Sequence, residues 1–425
     1  MPSINNKVQS TPTANAPKQA LKKGLDDTVG KANVFDIDAF HASAKVQSTS
    51  SSGSHRSFFG SIGHFFGSAL GAVGHFFGSI PHTLQSLLYG YDDSAFKTRK
   101  VTDDPSDVNN PTSDDIAQAQ QQTRSNQAAE KAAIAKLPAD QQKEYNAVLG
   151  QVQNDPMARR ALQKMLLDGR LPGSKDLKGQ GTVLDQLNNL TSAPLAKGID
   201  RASLVSQVTS EVENPVRIDQ QQKGTCGPTT AQILLARKNP AEYVRIINGL
   251  ASPGGSVQLA GGDTVSRNSD WNDDNDGGRS ISSRLFEPAL MQDGETLLGF
   301  HIPFMHYNNQ TDKNQEGPLG LSGGLMNGGE AHIVSQLLGK NYDSSTYYFF
   351  NRDGKWNDLK SALSAGKGPI PVSLEWNDGD GPGGHFVQID KIQSGTVYYT
   401  NPWGQRETMS ENEFKSHITG QAIPS

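Results

Sequence analysis

Residues 219–230 read DQQQKGTCGPTT and contain the only cysteine among the 425 residues of the chain. The next eight residues, 231–238, combine apolar positions with strong helix formers, which predicts a helix. Cys226 is therefore expected at the mouth of a helix, where unpaired N–H groups and the helix dipole favour a thiolate over a thiol. Gly224 and Gly227 flank the cysteine and allow the backbone to approach a substrate closely.

Two segments far downstream supply the residue types that a nucleophilic cysteine requires. Residues 383–389, GGHFVQI, predict a glycine turn that leads into a strand with His385 at its first position. Residues 397–404, VYYTNPWG, predict a strand that ends at Asn401. A histidine serves as a general base near neutral pH. An Asn accepts the far N–H of the imidazole and fixes its tautomer.

A glutamine before the cysteine is a candidate for stabilising an oxyanion. Gln220 lies six residues before Cys226, where its side-chain amide is able to donate alongside the Cys226 backbone N–H. Gln221 and Gln222 compete with it, and only the spacing favours Gln220.

This order of motifs resembles that of papain-like cysteine peptidases, and most closely the bacterial group related to the double-glycine leader peptidases. Cys-Gly-Pro and Asp-Pro-Trp-Gly recur in that group. The resemblance covers roughly residues 214–425, about half of the chain. It implies that Cys226 is the nucleophile, His385 the base, Asn401 the orienting residue and Gln220 the oxyanion donor. Most of the bacterial group has Asp at the position of Asn401, but Asn is the choice in papain, so the role is retained.

Simpler interpretations exist for several of these residues. A lone cysteine is usually a small buried hydrophobic residue, and Cys226 indicates catalysis only together with the other two segments. Core packing alone is sufficient to explain Trp403. In the family that the chain resembles, the aromatic residue beside the orienting residue also shields the hydrogen bond to the histidine. His332 is a rival base, but it lacks the glycine turn and strand that surround His385.

The predicted architecture is α+β, with five segments. Residues 1–56 are polar and are predicted to be disordered. Residues 57–80 predict a glycine-striped hydrophobic helix, and residues 81–112 a linker. Residues 113–212 have a helical pattern. Residues 213–425 are expected to form a two-lobed papain-like domain, with a helical lobe around the cysteine and an antiparallel β lobe.

Several elements are predicted with definite bounds. A continuous helix is expected from residue 113 to 135, and a helix over 280–291 is expected to break at Pro288. Strands are expected over 345–351 and 370–376, a hairpin over 386–400 with its turn at Ser394-Gly395, and a final helix over 411–417.

The hydrophobic segment 57–80 repeats the unit Phe-Phe-Gly-Ser at positions 58, 65 and 76. On a helix, the phenylalanines of the repeats fall on one side and the glycines on the other. Three hypotheses remain open for this segment. It contacts a membrane, it docks a partner or secretion chaperone, or it packs on the catalytic domain or stays disordered.

Composition limits the possible functions. The net charge of −5 indicates no nucleic-acid partner. A single cysteine excludes an intramolecular disulfide, and no metal or cofactor is expected. The N-terminus has no Sec signal pattern, but its composition resembles that of type III secreted effectors, which implies secretion into a host cell, with a cytoplasmic location as the alternative.

The sequence therefore predicts a thiol-dependent hydrolase that acts on peptide bonds of a protein substrate through a thioester. A deamidase, transglutaminase or acyltransferase would use the same residues and remains an alternative. A membrane-active secreted protein with secondary catalysis is the alternative from another class.

Overall fold

The computed structural model describes residues 94–103, 111–272, 278–294, 296–297, 300–301, 306–309, 313–315, 324–379 and 383–425. These residues belong to one compact unit, residues 69–425. The segments 1–56 and 57–80, for which disorder and a hydrophobic helix are predicted, lie outside the described residues. The described part is α+β, with twelve α-helices and a main sheet that is antiparallel.

The described chain opens with strand β1 (Lys100–Asp103) and continues into six helices. The helices are α1 (Ser113–Ser125), α2 (Gln127–Ile134), α3 (Ala139–Val152), α4 (Pro156–Leu167), α5 (Val183–Ser192) and α6 (Arg201–Glu213). Polar residues begin several of them. Thr112 forms a capping box with Asp115, and Asp155 accepts the backbone N–H groups of Met157 and Ala158.

Four more α-helices and several small hairpins follow, after a 3-10 turn (Pro215–Arg217). The helices are α7 (Cys226–Lys238), α8 (Pro240–Ala251), α9 (Ile281–Gly294) and α10 (Asn327–Leu338). The hairpin strands are β2 (Ser256–Gln258), β3 (Thr264–Ser266), β4 (Thr296–Leu297), β5 (Phe300–His301), β6 (His306–Asn308) and β7 (Lys313–Gln315). Cys226 is the first residue of α7, so its prediction at the mouth of a helix is confirmed.

The C-terminal part builds a seven-stranded antiparallel sheet with the order β1-β12-β11-β10-β9-β13-β8. Its later strands are β8 (Tyr342–Thr346), β9 (Ile370–Trp376), β10 (Gly383–Gln393), β11 (Thr396–Asn401), β12 (Gln405–Ser410) and β13 (Ile418–Pro424). Helices α11 (Arg352–Ser364) and α12 (Glu411–His417) accompany the sheet. The β10–β11 turn places Ser394 at φ 52° and Gly395 at φ 75°, which confirms the predicted hairpin.

Two hydrophobic cores lie in the described part. The larger core joins Tyr145 of α3, Leu204 of α6 and Leu234 of α7, and it also takes in Phe386 of β10. Residues on both sides of the boundary predicted at 212/213 therefore belong to one hydrophobic core. The second core lies between the sheet and helices α11 and α12, and includes Phe414.

An arginine near the end of α7 fixes this helix against the sheet. The Arg237 guanidinium donates to Gln388 Oε1 at 2.7 Å and to Thr400 Oγ1 at 2.7 Å, and it pairs with Asp390. Gln388 and Asp390 belong to β10 and Thr400 to β11. These contacts hold the helix that begins at Cys226 against the two strands that carry His385 and Asn401.

The structure corrects several local predictions. The helix predicted over 113–135 is interrupted at Asn126. Pro288 does not break α9, because the helix is buried along most of its length and packing compensates for the missing N–H. The predicted linker 81–112 contains β1, which pairs with β12.

The strand predicted over 345–351 ends earlier, at Thr346. The aromatic residues that follow lie in a turn, where the Asn351 side chain accepts the backbone N–H of Tyr348 at 2.7 Å. Phe350 is 72% exposed there, so its aromatic character does not indicate a strand. No helix within the described ranges combines the length and apolarity required to span a bilayer.

Candidate active site

Cys226 lies where the first turn of α7 meets strand β10. Its side chain is 7% exposed. The sulfur accepts a hydrogen bond from the backbone N–H of Phe386, and also from that of Gly227 in the first turn of α7. Since Phe386 directly follows His385, the structure brings the strand that carries the predicted base to the predicted nucleophile.

His385 and Asn401 are hydrogen-bonded to each other inside the protein. His385 Nε2 lies 2.9 Å from Asn401 Oδ1, and both residues are buried. Asn401 Nδ2 donates to Glu407 Oε1 at 3.0 Å, which directs the amide oxygen towards the imidazole. His385 Nε2 therefore carries a proton, and the lone pair lies on Nδ1. Nδ1 is then the atom that is able to accept a proton from a thiol.

Two tryptophans enclose the imidazole. The Trp403 ring stacks on His385 with centroids 4.3 Å apart and an interplanar angle of 19°. The Trp376 ring lies 4.6 Å from the imidazole at 58°. The two rings exclude water from the histidine–asparagine hydrogen bond. The shielding role predicted for Trp403 fits this arrangement. Trp376 has no such signal in the sequence, because only the register of β9 against β10 brings its ring to the imidazole.

The electrostatics of the pair differ from the sequence-based expectation. Burial lowers the pKa of His385 to about 4, although the hydrogen bond with Asn401 opposes this shift. Burial raises the pKa of Cys226 to about 11, and the Phe386 N–H offsets only part of that change. Burial thus opposes the thiolate that the helix N-terminus favours, and the preference for a thiolate stays a prediction. Both shifts favour the neutral forms at neutral pH, a thiol at Cys226 and an uncharged imidazole at His385.

A spectroscopic titration tests this protonation state. The thiolate is measured by its ultraviolet absorbance, as the difference between wild type and Cys226→Ser. We expect no thiolate absorbance at neutral pH, and an increase as the pH rises towards about 11. The sign follows from burial, which disfavours the charged form of the thiol. A thiolate signal that is already present at neutral pH and disappears on acidification would show a resting thiolate–imidazolium pair instead.

Gln220 is the buried member of the three consecutive glutamines. Its backbone N–H donates to Pro402 O at 2.9 Å, and its side-chain Nε2 donates to Lys223 O at 2.6 Å. A primary amide has two N–H groups, so one more donor remains on Nε2. Gln221 donates its side-chain amide to Asp219 at 2.9 Å, and Gln222 is exposed. The structure thus places Gln220 next to the segment that follows Asn401, and its role as the oxyanion donor stays a prediction.

A buried polar network supports the loop that precedes Cys226. Thr225 Oγ1 donates to Glu287 Oε2 at 2.7 Å, and Arg279 pairs with the same carboxylate oxygen at 2.9 Å. Arg279 also donates to Asn309 Oδ1 at 2.9 Å, and Lys223 Nζ donates to Asn309 O at 2.6 Å. The network holds both Lys223 and Thr225. No local sequence signal identifies it, because its members come from separate elements.

His332, the rival base, is engaged elsewhere. Its Nε2 lies 3.0 Å from Asp263 Oδ2 and 3.8 Å from Asp293 Oδ2. Among the described residues, these three are the group whose ligand atoms come close enough to hold a metal ion, all within 4.8 Å of one another. One imidazole nitrogen and two carboxylates form a donor set that suits a divalent cation. The expectation that the chain needs no metal remains a prediction.

Comparison with known proteins does not assign the chain to a family. No protein-family model matches it, and no curated protein sequence shows significant similarity to it.

Proposed function

We propose that the chain is a papain-like cysteine peptidase, a thiol-dependent hydrolase that cleaves peptide bonds in a protein substrate. One observation carries the proposal. The sulfur of Cys226 accepts the N–H of Phe386, while the adjacent residue His385 is bonded to Asn401 at 2.9 Å. A thiol, an imidazole and an orienting amide from three separate elements support the proposal, because these are the groups that nucleophilic catalysis requires.

In the first step, His385 Nδ1 removes the proton of the Cys226 thiol as the sulfur attacks the substrate carbonyl carbon. The carbon–sulfur bond forms and the carbonyl oxygen takes the negative charge. The remaining side-chain N–H of Gln220 and the Cys226 backbone N–H are assigned to that oxygen. Because the resting pair is neutral, the proton moves with the attack and not before it.

In the second step, the imidazolium gives its proton to the departing amine, the carbon–nitrogen bond breaks, and a thioester remains on Cys226. A water molecule then transfers a proton to His385 Nδ1 and attacks the thioester. The acid product leaves and the thiol regains its proton. Asn401 keeps the imidazole oriented throughout, since Glu407 fixes the amide that accepts from Nε2.

Mass spectrometry of intact substrates tests the reaction class. We expect the full chain, incubated with an unfolded protein such as casein, to produce pairs of fragments whose masses sum to the substrate plus one water. A gain of about one mass unit without fragments would instead indicate deamidation of glutamine by the same thioester chemistry. Cys226→Ser provides the blank. Products that are equally abundant with this variant would refute a thiol-dependent reaction.

A further inference from the structure

One acidic side chain beside the nucleophile has no hydrogen-bond partner among the residues that the structure describes. Glu330 lies in the first turn of α10 and is 0% exposed. Neither of its carboxyl oxygens has a hydrogen-bond partner in the described part of the chain. A buried polar group left unpaired is unfavourable for folding, so the carboxyl group of Glu330 does not contribute to stability. Such groups are few in native proteins and call for an explanation.

The carboxyl group faces the residue that follows the catalytic cysteine. A Cβ atom placed on Gly227 would lie 2.9 Å from Glu330 Oε2 and 3.2 Å from Leu325 Cδ1. Glu330 is also close enough to Cys226 for its charge to act on the thiol. The glycine of the Cys-Gly-Pro motif therefore leaves the space into which the carboxyl group projects.

Close helix packing brings Glu330 to this place. A side chain on Gly329 would collide with the backbone carbonyl of Gly294, the last residue of α9. Glycine at both positions lets α10 pack directly against the end of α9. Together with Gly227, these residues make room for an unpartnered carboxyl group next to the nucleophile.

We propose that Glu330 determines specificity, and that its carboxyl group receives the positively charged end of a lysine or arginine side chain of the substrate protein. This inference rests on the proposed peptidase function. A charged donor is the strongest hydrogen-bonding partner for a buried carboxyl group. The site also fits a long aliphatic stem, because the apolar side chain of Leu325 lies beside the carboxyl group, next to the same face of Gly227. Leu325 covers the same side of Gly227, so it is the side chain that the ligand displaces.

Matched covalent probes test this assignment. Two peptidyl epoxides are compared that differ only in the residue next to the electrophile. One carries lysine, and the other carries norleucine, which has a similar aliphatic stem without the charge. The rate of adduct formation at Cys226 of the full chain is followed by intact mass. We expect the lysine probe to react about 10–100-fold faster with wild type, as a charge-assisted hydrogen bond in a buried site predicts. In Glu330→Gln and Glu330→Leu this preference is expected to disappear, with unchanged or raised melting temperatures.

Glu211→Gln is the matched control, because Glu211 is equally buried but accepts from Tyr243 at 2.6 Å and Ser282 at 2.7 Å. This variant is expected to melt at a lower temperature and to keep the lysine preference. Equal rates for both probes in wild type, or a preference that survives in Glu330→Gln, would overturn the assignment. Absence of any Cys226 adduct with either probe would refute the proposed function itself, and this inference with it.

Discussion

Replacing Cys226 by serine is expected to reduce hydrolysis of a quenched fluorescent peptide library by the full chain about 10⁴-fold or more. Serine is close to cysteine in size and still accepts the Phe386 N–H that the sulfur accepts in the wild type. What is lost is the nucleophile, since an alkoxide is far harder to generate than a thiolate. The chain has no other cysteine that could replace it.

Thermal unfolding separates this effect from misfolding. The melting temperature of Cys226→Ser is expected to stay close to that of wild type, because the substitution changes one atom in a site that already offers backbone donors. A variant that melts normally and retains more than about a tenth of the activity would contradict the role of the sulfur, given the size of the loss expected for a nucleophile.

Glu407 gives a physical reason for the asparagine at position 401. Its buried carboxylate accepts from both Asn401 Nδ2 at 3.0 Å and the Tyr399 hydroxyl at 2.7 Å. An aspartate at 401 would place two carboxylates against each other in the interior, and one of them would have to be protonated. The bacterial group that the chain resembles has Asp at this position. Glu407, on β12, gives a reason for Asn in this chain.

Local signals were sufficient for much of the β-rich half. Strand 370–376 is buried at every position and bounded as predicted. The final helix begins where Ser410 accepts the Glu413 N–H, and the Ser394-Gly395 turn needs only the positive φ of those two residues. Each of these features is encoded by neighbours in the chain.

Features that depend on distant partners could not be predicted. Strand β1 has no strong pattern of its own and becomes a strand because β12 offers a free edge to it. The carboxyl groups of Glu287 and Glu330 look like ordinary charges in the sequence, and only folding shows that they are buried near Cys226. The burial that raises the pKa of Cys226 is likewise a property of the whole fold.

The most direct test of the site is whether the reactivity of Cys226 depends on His385. These two residues are expected to act together although they are distant in the chain. A thiol whose pKa is about 11 needs a base to react at neutral pH. In His385→Ala we therefore expect adduct formation with a peptidyl epoxide to slow by about 10²–10⁴-fold, the usual contribution of a positioned base.

His332→Ala is the matched control, since His332 is paired with Asp263 at 3.0 Å and is given no catalytic role. The measurement is the rate of Cys226 adduct formation by intact mass for wild type and both variants at neutral pH. The predicted result is one adduct per chain, formed rapidly in wild type and His332→Ala and slowly in His385→Ala. Adduct formation at the wild-type rate in His385→Ala would contradict the claim that the imidazole activates this thiol.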